Sequence, residues 1–150
     1  MLLEDNAATD AIYFVMDESD VRTALTASFT SICTDSAARA IDGPLSQANG
    51  HPRGWGSFPK ILGHYVREEN LLTLEAAVHK MTGMPARRIG LKDRGLVREG
   101  YFADLVIFDP ATVADQSTYA ESRRYAAGIN YVYINGRVVV DGGRHTGELA

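Results

Sequence analysis

Asp35 could carry out acid–base chemistry, and it directly follows the short predicted strand 31–34, with Ile32 and Cys33 as its apolar centre. A short apolar run bounded by polar residues is typical of a buried strand. In barrels of alternating strands and helices, the C-terminal strand ends form the active-site face, where a carboxylate can act as a base or a ligand. Aspartate is also common as a helix cap or a turn residue. Its position alone favours this second interpretation of Asp35.

A second candidate is the loop 51–56, which combines His51, Arg53 and Trp55 with two glycines. A titratable ring and a guanidinium in one loop could place His51 or Arg53 beside a carboxylate substrate. The alternative is an ordered surface loop with Trp55 packed inward. The sequence leaves both interpretations open.

The spacing of histidines and cysteines predicts no metal site within this chain. His-x-His, His-Glu-x-x-His and paired-cysteine patterns are all missing from the sequence. Cys33 is the single cysteine, which excludes an internal disulfide and predicts a buried core position in a reducing environment. His64 and His79 lie off the apolar faces of their predicted helices, and His145 lies in a polar tail.

Composition indicates a globular protein with 45% apolar and 23% charged residues in a chain of 150. A formal net charge of −4 gives no electrostatic reason to expect nucleic-acid binding. No apolar run approaches the roughly 20 residues that cross a bilayer. The first residues lack the basic and apolar regions of a signal peptide, so we expect a cytoplasmic protein.

The elements that position these candidates are predicted to be α/β in the first part of the chain. The apolar run 11–16, an acidic cap followed by a helical stripe at 21–25, and the run 31–34 form one strand–helix–strand unit. Residues 36–56 show no periodicity, so we expect a long loop there. Helices are then predicted from Pro59, with Ser57 as its cap, and from Thr73, with a short last helical turn that ends at Gly90.

The last part of the chain is predicted to be β structure. A strand spans 104–109, and two β-rich runs at 131–134 and 137–140 flank Asn135-Gly136. Two such runs around Asn-Gly indicate a tight hairpin with a type I′ turn. We therefore divide the chain into an α/β part, 1–92, and a β part, 93–150.

The whole chain resembles the C-terminal third of the N-acyl-D-amino-acid deacylases (D-aminoacylases) of the amidohydrolase superfamily. Two of the passages that carry the resemblance are particular to this branch. They are Asn6–Phe14 and His51–Gly63. The others are Thr34–Ser36, Tyr65–Glu69, Lys80–Ala86, Gly90–Gly95 and Gly100–Val106. The late strand and the hairpin are shared across many amidohydrolases and indicate only the class.

The resemblance implies the last strands and helices of a TIM-type (β/α)8 barrel, followed by strands of a small β-sandwich. Asp35 would be the aspartate after the final barrel strand, which takes a proton from a zinc-bound water and passes it to the departing amine. This implication reverses the interpretation from position alone. Tyr13 and Met16 would line the apolar pocket for the amino-acid side chain, with His51 and Arg53 near the substrate.

The resemblance also implies what this chain does not hold. The family's zinc ligands lie upstream of every passage found here, and a closed barrel needs about 250 residues. Family members usually have glycine after the aspartate, where this chain has Ser36. We therefore expect a metal-dependent N-acyl-D-amino-acid deacylase lineage in which this chain alone is inactive, unless a separately encoded N-terminal barrel half completes it.

Two alternatives remain beside this interpretation. The chain could be a non-catalytic remnant or an interaction module. It could also belong to another amidohydrolase of the dihydroorotase or hydantoinase type, although the predicted Tyr13–Met16 pocket and the 51–55 loop argue against that.

Overall fold

A computed structural model describes residues 12–43, 46 and 50–148. The Asn6–Thr9 passage, Ala11 and most of the segment 44–49 lie outside these residues. The helices come first and a small sheet follows. The helices are α1 (Glu18–Thr26), α2 (Arg53–Lys60), which continues as a π-helix (Ile61–Glu68), α3 (Leu74–Met81) and α4 (Gly83–Ile89). The strands are β1 (Leu105–Phe108), β2 (Ile129–Ile134), β3 (Arg137–Asp141) and β4 (Arg144–His145).

Helix α1 begins as the acidic cluster predicts. The Asp17 side chain accepts a hydrogen bond from the Ser19 amide at 2.7 Å and thereby caps the helix. Glu18 and Asp20 lie in the first turn, where negative charge is favourable. At the other helical ends, Thr73 caps α3 and Gly90, with φ of 81°, ends α4 as predicted.

Helix α2 begins at Arg53, six residues before the predicted start at Pro59. Pro52 precedes it with φ of −52° and ψ of −26°, which are already helical values. Proline loses nothing at a helix start, because the first amides have no intrahelical partner. The predicted loop 36–56 therefore stops at Pro52.

The core joins the helices to the β part of the chain. It consists of five buried side chains from the π-helix, from α3 and from the segment after β1: Ile61, Leu62, Tyr65, Ala77 and Val113. A Cβ atom on Gly63 would lie 2.7 Å from the carbonyl oxygen of Val113, so glycine lets the two backbones touch. Arg67 Nη1 donates to the same carbonyl at 2.6 Å.

The sheet is antiparallel with the order β1-β2-β3-β4. Asn135 and Gly136 have φ values of 51° and 80° between β2 and β3, which is the left-handed pair of a type I′ turn. The predicted hairpin is confirmed. Among the described residues, no helix is long and apolar enough to cross a membrane.

The two strands predicted near the start of the chain are not formed in the described residues. Residues 12–16 and 31–34 are not assigned to any strand, and Tyr13, Phe14, Val15 and Met16 are 74–80% exposed. A strand needs a neighbour to pair with its amide and carbonyl groups, and no described strand lies beside either segment. The prediction of two buried strands is therefore wrong for the described residues of both segments.

Candidate functional site

Asp35 and Arg53, the two charged residues singled out from the sequence, lie together. Arg53 Nη1 is 3.1 Å from Asp35 Oδ2, across 18 residues of sequence. The Asp35 backbone has φ of 47°, a left-handed conformation that aspartate tolerates better than most residues. Its side chain is 82% exposed, so the ion pair contributes little to stability and leaves the carboxylate open to a ligand.

The start of α2 places Arg53 beside Asp35. A Cβ atom on Gly54 would lie 2.6 Å from Ser36 Oγ, so this glycine permits the segment after Asp35 to approach the helix. The Arg53 amide donates to His51 Nδ1 at 3.0 Å, which fixes the loop that leads into the helix. Gly54 therefore allows α2 to pack against the segment that carries the candidate carboxylate.

His51 is held as a neutral imidazole. Burial first, and then the nearby Arg53 guanidinium, lower the pKa of His51 below its ordinary value. Because Nδ1 accepts the Arg53 amide, Nε2 carries the proton in the neutral ring. The ring stands edge-on to Tyr119, with centroids 5.3 Å apart and planes at 81°.

A groove runs from His51 and Arg53 along the start of α2. Its opposite wall is the segment 115–119 of the β part. Asp115 Oδ1 accepts from the Ser117 amide at 2.8 Å and from Ser117 Oγ at 2.6 Å. A Cβ atom on Gly56 would overlap the Asp115 carboxylate, so glycine lets Asp115 keep this position against the helix.

Sequence reasoning missed Asp115 and Tyr119 as groove residues. The Asp-x-Ser pattern at 115–117 signals a local turn, but nothing in the sequence indicates that this turn packs against α2. The contact depends on tertiary packing, because Asp115 and Tyr119 lie 64 and 68 residues after His51 in the chain. No short motif reports such a contact.

Tyr13 and Met16, the predicted pocket residues, are 79% and 74% exposed. Their neighbour Phe14 makes the contact with the groove instead, with its ring 4.9 Å from that of Tyr119. The segment 12–16 thus reaches the edge of the groove. The pocket role of Tyr13 and Met16 stays a prediction.

The described residues do not provide a metal site. No three of their His, Cys, Asp or Glu side chains converge as ligands. His64 Nδ1 lies 3.0 Å from Glu68 Oε2 and its Nε2 lies 3.0 Å from Glu69 Oε1, so neighbouring side chains occupy both ring nitrogens. Cys33, predicted to be buried, is exposed, because the segment 31–34 has no strand neighbours to cover it. The part of the chain that the structure describes therefore lacks a set of side chains that fits zinc.

Comparison with known proteins places these features in context. A model of the amidohydrolase family matches residues 36–140. The D-aminoacylase of Alcaligenes xylosoxydans xylosoxydans is 49% identical over 140 residues, which are 93% of this chain and 28% of that protein. The N-acyl-D-aspartate deacylase of the same organism is 43% identical over 97% of this chain and 29% of its own length. This chain thus spans less than a third of either relative.

Solved structures give the same result. A crystal structure of D-aminoacylase superimposes with a TM-score of 0.79 at 48% identity, over 91% of this chain and 27% of that one. The N-acyl-D-glutamate deacylase of Bordetella bronchiseptica, solved with zinc and a phosphonate mimic of the tetrahedral intermediate, gives 0.76 at 43% identity, over 85% and 25%. A dihydroorotase of Lactobacillus acidophilus is 28% identical over 55% of this chain and 19% of its own length.

Proposed function

Because this chain belongs to the amidohydrolase family, we propose that it is the C-terminal portion of an N-acyl-D-amino-acid deacylase. The reaction is hydrolysis of an amide to a carboxylate and a free D-amino acid. The observation that carries the proposal is the Asp35–Arg53 ion pair at 3.1 Å, in which Arg53 also lines the groove. It supplies an open carboxylate beside a cation that can bind an anionic substrate.

Asp35 is the proton-handling group in this proposal. Amide hydrolysis adds the hydroxyl of water to the acyl carbon and a proton to the departing amine nitrogen. A carboxylate within reach can hold that proton and deliver it as the C–N bond breaks. The exposed position of Asp35 at a left-handed turn keeps its oxygens free for this transfer.

Arg53 and His51 bind the substrate in this proposal. The Arg53 guanidinium can donate two parallel hydrogen bonds to a carboxylate, and every N-acyl amino acid carries a carboxylate group. A neutral His51 donates from Nε2 without adding a charge next to Asp35. Tyr13 and Met16 contact the side chain of the D-amino acid, once the segment 12–16 is covered on its exposed face.

The wider assembly is part of the same proposal. Residues 1–92 contribute the last strands and helices of a TIM-type barrel with the loop 36–56, and 93–150 contribute strands of a β-sandwich. Zinc, which one of the solved relatives carries, takes its ligands from outside the described residues. A separately encoded N-terminal barrel half is one source of those ligands, and the cytoplasm is the expected compartment.

The test is a chimera of the Alcaligenes D-aminoacylase in which this chain replaces the segment that aligns with it. We expect the chimera to hydrolyse N-acetyl-D-methionine and to leave the L-enantiomer intact. Asp35→Asn should lower kcat at least about 100-fold, the range of a lost general acid–base. Asp42→Asn, an exposed aspartate in the same loop, is the matched control and should change nothing.

Equal activity of the Asp35→Asn and Asp42→Asn chimeras would refute the proposed role of Asp35. An inactive chimera beside an active parent enzyme would favour a non-catalytic module instead. The dihydroorotase similarity supports a second candidate, hydrolysis of a cyclic amide, at lower identity and coverage. Hydrolysis of dihydroorotate, with no hydrolysis of N-acetyl-D-methionine, would support this second function.

A further inference from the structure

Lys80 is a buried cation whose contacts are all with uncharged oxygens. It lies in the last turn of α3 and is 5% exposed. Its ammonium donates to the carbonyl oxygens of Ala27 and Thr30, the latter at 3.0 Å, and to Thr30 Oγ1 at 3.1 Å. An ammonium group has three donors, and these three acceptors use them all.

The acceptors belong to the turn that follows α1. The last carbonyls of a helix have no intrahelical partner, and a cation is favourable beside them. Ala27 is the residue at which α1 ends, and its carbonyl faces the ammonium. Thr30 Oγ1 also lies 2.6 Å from the Ala24 carbonyl, which closes the turn on itself.

The backbone of Lys80 holds the other end of this turn. The Ile32 amide donates to the Lys80 carbonyl at 3.1 Å, and the Ile32 side chain packs against the core. A single residue therefore fastens the segment 27–32 at both ends. Asp35 follows three residues later, on a stretch that forms no described strand.

We propose that Lys80 is a positioning residue for Asp35, which it places beside Arg53 by fastening the turn 27–32 to α3. This inference rests on the proposed function, since it assigns Lys80 to the placement of that site's carboxylate. Lys80 contacts the turn and not the reacting groups. Its loss should therefore affect the chemical step and leave substrate binding unchanged.

The first test measures hydrogen exchange of peptides covering 27–35 in the 150-residue chain. Lys80→Met keeps an unbranched apolar stem of similar length and removes the three donors. We expect exchange in 27–35 to rise at least about tenfold while that of the β2–β3 hairpin stays unchanged. Lys92→Met, at an exposed lysine, is the control and should alter neither.

Thr30→Val is the second variant. It keeps the Lys80 charge and removes one acceptor of the ammonium, together with the bond from the Thr30 hydroxyl to the Ala24 carbonyl. It should raise exchange of the same peptides by a smaller factor. If Lys80→Met unfolds the chain, Thr30→Val decides the matter. Unchanged exchange of 27–35 in Thr30→Val, or in a folded Lys80→Met chain, would overturn the proposal.

The second test uses the chimeric deacylase and a double-mutant cycle. Lys80→Met should lower kcat about 10- to 100-fold, as small misplacement of a catalytic group does, with KM within about twofold of its original value. In an Asp35→Asn background the same substitution should cause no further loss. An equal loss in both backgrounds would show that Lys80 acts without Asp35. If Asp35→Asn alone has no effect, the proposed function fails, and the exchange result still decides whether Lys80 holds the turn.

Discussion

At the scale of single residues, the site depends on the charge of Arg53 and the neutrality of His51. Arg53 is 48% exposed and its partner Asp35 82%, so their pairing contributes little to folding. Both side chains of the pair are exposed, so a ligand can reach them. Substitutions here should therefore change kinetics more than stability.

Arg53→Met in the chimeric deacylase should raise KM for N-acetyl-D-methionine about tenfold, the equivalent of about 1.4 kcal/mol of lost binding. The KM of Arg53→Lys should lie between those of the unsubstituted chimera and Arg53→Met, because lysine keeps the charge but not the planar guanidinium. Arg87→Met, at an exposed arginine of α4, is the control. Steady-state kinetics check this, and an unchanged KM in Arg53→Met would remove Arg53 from substrate binding.

The lowered pKa of His51 predicts a pH effect on stability. A histidine whose pKa is lower in the folded state stabilises the protein above its unfolded pKa of about 6.5, and this stability is lost as pH falls through the folded pKa. His51→Gln should thus lose less Tm between pH 7.5 and pH 5 than the original chain. Thermal melts at the two pH values measure it. An equal loss of Tm in both proteins would contradict this expectation.

At the scale of elements, glycines decide how closely helices approach the β part. Gly63 faces the Val113 carbonyl, and Gly56 faces the Asp115 carboxylate. The first neighbour is backbone next to a fully buried side chain, whereas the second is a side chain that can rotate. The two glycines should therefore respond differently to an added methyl group.

Gly63→Ala should destabilise the chain by about 1–3 kcal/mol, as overpacking does, despite the better helix propensity of alanine. Gly56→Ala should cost less stability, because the Asp115 side chain can turn away at the loss of its bonds to Ser117. Urea denaturation of the two variants provides the comparison. An equal loss of unfolding free energy in both variants would mean that the backbone at Val113 moves as readily as the Asp115 side chain.

At the scale of the whole molecule, the chain presents a large apolar surface. Residues 12–16 carry four side chains that are more than 70% exposed, and Phe29 is 71% exposed. Exposed apolar side chains clustered in one short segment, as in 12–16, mark a surface that another chain or segment covers. In the proposed assembly, the remaining barrel strands cover them.

The isolated chain should accordingly self-associate as its concentration rises. Val15→Ser, at an 80% exposed position of this patch, should weaken the association. Val97→Ser, at a 90% exposed valine outside it, should not. Sedimentation velocity over a range of concentrations distinguishes them. A monomer at every concentration would contradict the expectation.

The sequence by itself determined the features that depend on near neighbours. The Asp17 and Thr73 caps, the end of α4 at Gly90 and the turn at Asn135-Gly136 follow from local chemistry, and all are found as predicted. The family followed from longer passages of sequence. Local backbone preferences and short-range hydrogen bonds act within a few residues, so a pattern of that length reports them.

Only the tertiary structure decided the features that depend on distant partners. The meeting of Asp35 with Arg53, the wall formed by Asp115 and Tyr119, and the burial of Lys80 under the turn after α1 join segments that lie 18 to 68 residues apart. The predicted strands at 11–16 and 31–34 failed for the same reason. A strand is stabilised by its neighbours, and an apolar run specifies that it needs a partner without specifying where that partner lies.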